Sequence, residues 1–200
     1  MTTCRIPSLA GAVLTIAVHS APACAHVGTG LSGGIAQGFS HPFGGLDHLL
    51  AMVSVGLWGA FLGRPLVHAL PVVFPVVMVL GAALGMFGVR MPPVEIGVAL
   101  SVLVLGGAIA VAWNARVPVA VLVVATFALF HGYAHGRELP SAADPIGYST
   151  GFVLATGLLH VIGIGIGVIA DRPLGRIVVR ALGVAIACIG GVFAWTAISA

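Results

Sequence analysis

Two short stretches of this chain hold side chains able to do chemistry. HPFGGLDHLLAM, residues 41–52, carries His41, Asp47 and His48, and FHGYAHGRE, residues 130–138, carries His131, His135 and Glu138. His131, His135 and Glu138 stand at i, i+4 and i+7, one stripe of a helix face. His41 and His48 are seven apart, also close to one face. Pro42 and Gly44-Gly45 argue against a regular helix there and favour a looped entry, from which His41, Asp47 and His48 can converge. Imidazoles with carboxylates and no thiolate suit Ni²⁺, Co²⁺, Zn²⁺ or Mn²⁺ better than Cu⁺. Neutral histidine supplies the ligand nitrogen, so such a site weakens as pH falls, and the same groups permit proton exchange.

Each of these residue types also has a plainer use. A lone histidine inside a membrane usually hydrogen-bonds another helix, and that is the first reading of His160; a deeper stop on an ion path is the second. His68 reads as interfacial. Glu95 opens a helix, where an acid favours the dipole, but it falls at the same membrane face as the two clusters and stays a metal candidate. Asp144 reads as a solvated loop acid. For the two clusters the plain reading is weak, because packing alone rarely keeps such costly groups together in a bilayer. The expected metal set is therefore His41, Asp47, His48, His131, His135 and Glu138, with Glu95 beside them.

The elements that must position these residues follow from composition. Of 200 residues 60% are hydrophobic and only 6% charged, with a mean hydropathy of +1.18. A soluble domain of this size could not hide so much apolar surface, so the chain reads as an integral membrane protein. Its positive charge comes from eight arginines and no lysine, too few and too scattered for a nucleic-acid face. The first 25 residues have the form of a cleavable secretory signal: Arg5, an apolar run from Ile6 to about Val18, then Ala23-Cys24-Ala25 in A-x-A spacing. Cleavage would leave His26 at the mature terminus and Cys188 as a solitary thiol, read as a packing residue.

Residues 26–200 then form one transmembrane domain, an all-α polytopic bundle. Six apolar segments approach the ~20 residues a span requires: 43–62, 66–88, 95–113, 117–136, 147–170 and 177–198. Pro, Gly and Arg clusters punctuate them. Pro71 and Pro75 in the second segment predict a kink near Phe74. Gly81-x3-Gly85, Gly147-x3-Gly151 and Gly163-x3-Gly167 are close-packing signals and would also permit a homo-oligomer. A cleaved signal puts the mature N-terminus in the periplasm. The loops then place Arg64, Arg116, Arg172, Arg176 and Arg180 inside and Arg90 and Arg137 outside, as the positive-inside rule requires. Asp47, Glu95, Glu138 and Asp144 fall at the outer side with His41, His48, His131 and His135.

On these residues the sequence resembles the HupE/UreJ family of membrane proteins. HPFGGLDHLLAM and FHGYAHGRE carry the resemblance, with the signal peptide, the AHVG start at 25–28 and six following spans. The resemblance implies nickel transport, with cobalt in some members, in support of nickel hydrogenases or ureases. It also implies functional roles for His41, Asp47, His48, His135 and Glu138, with His131 beside them; Glu95 is carried over less firmly. The residues themselves do not rank Ni²⁺ above Co²⁺. The H-x5-DH spacing is one residue longer than the H-x4-DH of the separate nickel/cobalt permeases, which offer a chemical parallel only.

The chain has no Walker motif, so it reads as a secondary transporter or facilitator of the bacterial inner membrane, with the metal as transported substrate and no resident cofactor. HExxH and GxSxG are absent, which argues against an intramembrane hydrolase. The crowding of histidines with carboxylates argues against haem. A membrane metal sensor or store without flux, or a carrier of another divalent metal, remains the alternative.

Overall fold

The computed structural model describes residues 31–138 and 144–199, and side chains from residue 34 onward except that of Glu138. The signal segment 1–25 and His26 lie outside the described residues. Among the described residues seven α-helices follow one another: α1 Leu31–Gly44, α2 Leu46–Leu62, α3 Leu66–Met86, α4 Val94–Ala110, α5 Val117–Glu138, α6 Pro145–Val168 and α7 Pro173–Ser199, with one 3₁₀ turn at Ile169–Asp171 before α7. No strand occurs among the described residues.

Local chemistry sets the helix ends. Gly45, in an extended conformation, separates α1 from α2, and the two helices meet at 86°. The expected looped entry is thus a sharp bend between two helices, and Pro42 is accommodated inside α1. Gly63 ends α2 at φ +74°, where a Cβ would be strained. Asp144 caps α6, its Oδ1 accepting from the Gly147 N–H at 2.9 Å, with Pro145 in the first turn. Asp144 therefore does structural work that a merely solvated acid would not.

Four helices, α3, α5, α6 and α7, are long and apolar enough to cross a membrane, and the bent α1–α2 pair makes five if counted as one span. Helix α4 is apolar but only 17 residues long, about 26 Å at 1.5 Å per residue against a hydrocarbon core of about 30 Å. Large apolar side chains face outward on these helices, among them Val72, Val76 and Leu80 on α3, Val161 on α6 and Trp195 on α7. Such a belt is stable against lipid and not against water. The chain is a multi-pass membrane protein.

Glycines set the pairing. On α5, a Cβ at Gly132 would meet the Met78 carbonyl and one at Gly136 the Ala82 carbonyl, so α3 and α5 lie backbone to backbone and run parallel. Gly56 of α2 abuts the His160 carbonyl and Gly167 of α6 abuts Leu57 and Ala60, making a second parallel pair. Gly190 meets Leu103 and Gly183 meets Ala110, so α4 and α7 form an antiparallel pair. Gly81, Gly85, Gly151 and Gly163 all stand at such contacts, as their spacing predicted. The packed interior between the pairs holds Trp58, Phe74, Leu57, Leu70, Leu105 and Ile109, all buried.

These directions define two ends. One gathers the start of α2, α4 and α6 with the finish of α3, α5 and α7. Asp47, Glu95, Asp144, Arg90 and Arg137 lie there. Arg64, Arg116, Arg172 and Arg176 lie at the other. Arg180, on the first turns of α7, donates from Nε to the Ala110 carbonyl at 2.8 Å and so closes the end of α4. Trp58 and Trp113 stack at the same end, ring centres 5.6 Å apart. His68 is exposed at that end.

Candidate metal-handling site

The bend at Gly45 sets α1 at 86° to α2 and against the first turns of α6, where Gly38 meets the Tyr148 carbonyl, and it brings four imidazoles from three helices together. His48, in the first turn of α2, has its ring centre 5.0 Å from that of His131 and 4.7 Å from that of His135, both on α5. His41, in the last turn of α1, lies 4.8 Å from His135 and 6.4 Å from His48. His131 and His135 share a face of α5 because they are four residues apart. His131 is completely buried and His135 nearly so.

Two of these rings have their tautomers fixed by neighbours. Asp47 Oδ1 lies 2.8 Å from His48 Nδ1 and also accepts the His48 backbone N–H at 2.8 Å. A carboxylate oxygen only accepts, so Nδ1 carries the proton and Nε2 keeps its lone pair. His131 Nδ1 faces the Phe127 carbonyl at 2.9 Å, and the same logic leaves its Nε2 as the acceptor. Both Nε2 atoms are buried and make no hydrogen bond. A buried lone pair without a partner costs about 1–3 kcal/mol, and the site holds two. The carboxylate–imidazole pairing is the arrangement that orients a metal-binding histidine.

Above His48 a cavity of about 790 Å³ opens, lined by Asp47, His48, Glu95, Tyr133 and Arg137 among others. It places Glu95, from the first turn of α4, on the same cavity as the α2 pair. The wall is braced by Tyr133, whose hydroxyl donates to the Val89 carbonyl at 2.7 Å. Among the described residues no three His, Cys, Asp or Glu side chains stand ready to hold an ion in a preset cage. The rings meet edge to face, at interplanar angles of 60° to 89°. Gathering an ion would therefore require the rings to turn.

The chain matches the sequence profile described as "HupE / UreJ protein" over residues 14–193. The chain belongs to the HupE/UreJ family. A similar relative is the "Protein HupE" of Rhizobium leguminosarum bv. viciae, 44% identical over 177 residues that cover 88% of this chain and 93% of the relative. No solved structure matches the chain.

In this HupE/UreJ chain, then, the structure brings His41, Asp47, His48, His131 and His135 into one cluster. It sets Glu95 on the adjoining cavity. Glu138 closes α5 one turn beyond His135, but its side chain lies outside the described part. Sequence reasoning missed the aromatic wall: Phe152 packs 4.3 Å from His135 and Tyr148 lies 5.7 Å from His41, ring centre to ring centre. Phe74 lies 5.5 Å from His131 on the side away from the cavity. An apolar segment full of Phe, Val and Leu gives no signal of which aromatic will face a histidine.

Proposed function

We propose that the chain imports Ni²⁺, with Co²⁺ as second substrate, across the bacterial inner membrane, as a secondary transporter or facilitator. In this reading the histidine end faces the periplasm, six spans follow a cleaved signal peptide, and the arginine-rich end faces the cytoplasm. The observation that carries it is the pair of buried, unpartnered Nε2 atoms of His48 and His131, held in their tautomers and set beside His41 and His135. Nitrogen donors with nearby carboxylates fit a borderline divalent cation. The acids Asp47 and Glu95 on the open cavity would draw the cation in. An ion path also needs a site that releases its ion, and imidazoles that must turn to bind answer that need better than a rigid cage. Family membership supports the same reading, with the metal destined for hydrogenase or urease. The chain acts as a carrier here and not as an enzyme.

The test is uptake of radiolabelled Ni²⁺ by cells lacking their own nickel importers, comparing the intact protein with Asp47→Ala and Glu138→Ala at matched membrane levels, with Co²⁺ as competitor. Uptake abolished by both substitutions is the expected result. Protein in the membrane with uptake no higher than the empty vector would sink the importer reading and leave a sensor, a store or a carrier of another metal.

A further inference from the structure

Among the described residues, one buried imidazole lies outside the outer cluster. His160 lies two-thirds of the way along α6, 1% exposed. Neither of its ring nitrogens makes a hydrogen bond of regular geometry, although the Pro71 carbonyl of α3 stands near enough to interact. That carbonyl is available for a physical reason. The residue four positions on is Pro75, which has no N–H, so α3 itself leaves the Pro71 oxygen without its helical partner. One turn before His160, on the same face, the Thr156 hydroxyl points to Met52 Sδ of α2 at 3.5 Å.

Phe74 divides this group from the outer cluster. Its ring centre is 5.5 Å from that of His131 and 5.4 Å from that of His160. The imidazoles therefore form a file: His41, His135, His48 and His131 in steps of 4.7–5.0 Å, one phenyl ring, then His160. Past His160, α6 continues to Gly167, about 10 Å further at 1.5 Å per residue. Gly167 lines a second cavity of about 350 Å³ at the opposite end, together with Asn114, Asp171 and Arg176. The file points from one cavity toward the other.

We propose that His160 is a second ion-binding station on the path, and that Phe74 is the partition between it and the outer histidines. The proposal rests on the transport reading above. The Pro71 carbonyl orients the ring by accepting from one nitrogen; the other nitrogen is the ligand, and Thr156 and Met52 offer oxygen and sulfur donors one turn away. The imidazole nitrogen suits a borderline divalent cation such as Ni²⁺, and the neutral hydroxyl and thioether add only weak donors, which leaves the ion free to move on. An ion passing Phe74 leaves the outer imidazoles for His160, so the step is a transfer between sites and not an escape into apolar packing.

His160→Gln separates this role from a structural one, because the amide keeps an N–H donor for the Pro71 carbonyl and loses the imidazole. In proteoliposomes loaded with a Ni²⁺ indicator dye, the variant is expected to lose about tenfold in maximal rate, with half-saturation changed by less than about twofold because entry is untouched. An unchanged maximal rate overturns the proposal. A second measurement uses the wild type alone. Ni²⁺ with peroxymonosulfate oxidises side chains beside the bound ion, and mass spectrometry locates them. Oxidation of His160 together with the outer histidines is expected; oxidation confined to the outer histidines overturns the station, whether or not His160→Gln folds. A wild type that moves no Ni²⁺ defeats the transport reading, and the oxidation map still decides whether His160 meets the ion.

Discussion

Replacing Asp47 by Asn would test how the carboxylate serves the imidazole beside it. One oxygen of Asp47 holds both the ring and the backbone N–H of His48, each at 2.8 Å. Asparagine keeps an oxygen that can accept and loses the charge. A hydrogen bond to a charged group is worth about 1.5–3 kcal/mol and a neutral one about 0.5–1.5, a difference of roughly 1–1.5 kcal/mol. Asp47 is 35% exposed, so solvent weakens the ionic part and the lower end applies. At about 1.4 kcal/mol per tenfold, half-saturation for Ni²⁺ should rise about five- to tenfold, near the low end of the 10- to 100-fold seen when a partner of a metal-binding histidine is removed. The maximal rate should hold, since the imidazole itself remains. The assay is initial ⁶³Ni²⁺ uptake over a concentration series, with membrane protein quantified by blot. Half-saturation within about twofold of wild type, or a fall in rate at unchanged half-saturation, would refute the reasoning that Asp47 acts by orienting His48.

Three other outcomes follow from the geometry. Glu138→Gln, at the end of the α5 stripe, should cut uptake at least about tenfold if its carboxylate takes the ion, read in the same assay with Glu138→Asp as the partial rescue. Uptake into proteoliposomes held at equal pH on both sides should fall as pH drops from about 7.5 to about 5.5, because a protonated imidazole cannot ligate; an acid-insensitive rate would show that no imidazole titrating in that range is a ligand. Gly132→Leu drives a side chain into the Met78 carbonyl and should cost about 1–3 kcal/mol, seen as a lower unfolding temperature in detergent, whereas Gly157→Leu meets nothing within 4 Å and should leave that temperature unchanged.

Much of the architecture was legible as a pattern of single residues. The six apolar segments coincide with helices α2 to α7 within a few residues, because Pro and Gly mark the ends directly, but only four, or five with the bent α1–α2 pair, are long and apolar enough to span, not the six expected. The bend at Gly45 was foreshadowed by Pro42 and Gly44-Gly45. Kinking at Pro71 and Pro75 was expected, and α3 runs through both as one helix; their visible consequence is the carbonyl left free at Pro71. Helix pairing was not legible. A small-xxx-small motif says that a face is flat and does not name its partner. His41 and His48 could be grouped with His131 and His135 by membrane side, but their adjacency depends on the 86° bend between α1 and α2. Asp144 looked like a loop acid because nothing local distinguishes a solvated carboxylate from one about to cap a helix. His160 was read first as an interhelical hydrogen bond. The group beside it is a backbone carbonyl that a proline on another helix leaves without its helical partner, and no spacing within one segment could reveal that.

The glycine contacts have a mechanical consequence. At these glycines the backbones of α3/α5, α2/α6 and α4/α7 come into direct contact. Sliding one helix past another needs side chains that can re-interdigitate, and at these points there are none. Each pair is in effect a single stiff plank. Compliance is left to the seams between planks, and those seams are where His48 of α2 faces His131 of α5 and where Phe74 of α3 meets His160 of α6. In the proposed transport reading, rocking that alternates access between the two cavities would work the imidazole contacts that cross these seams, so the proposed route of the ion and the compliant line of the protein would coincide.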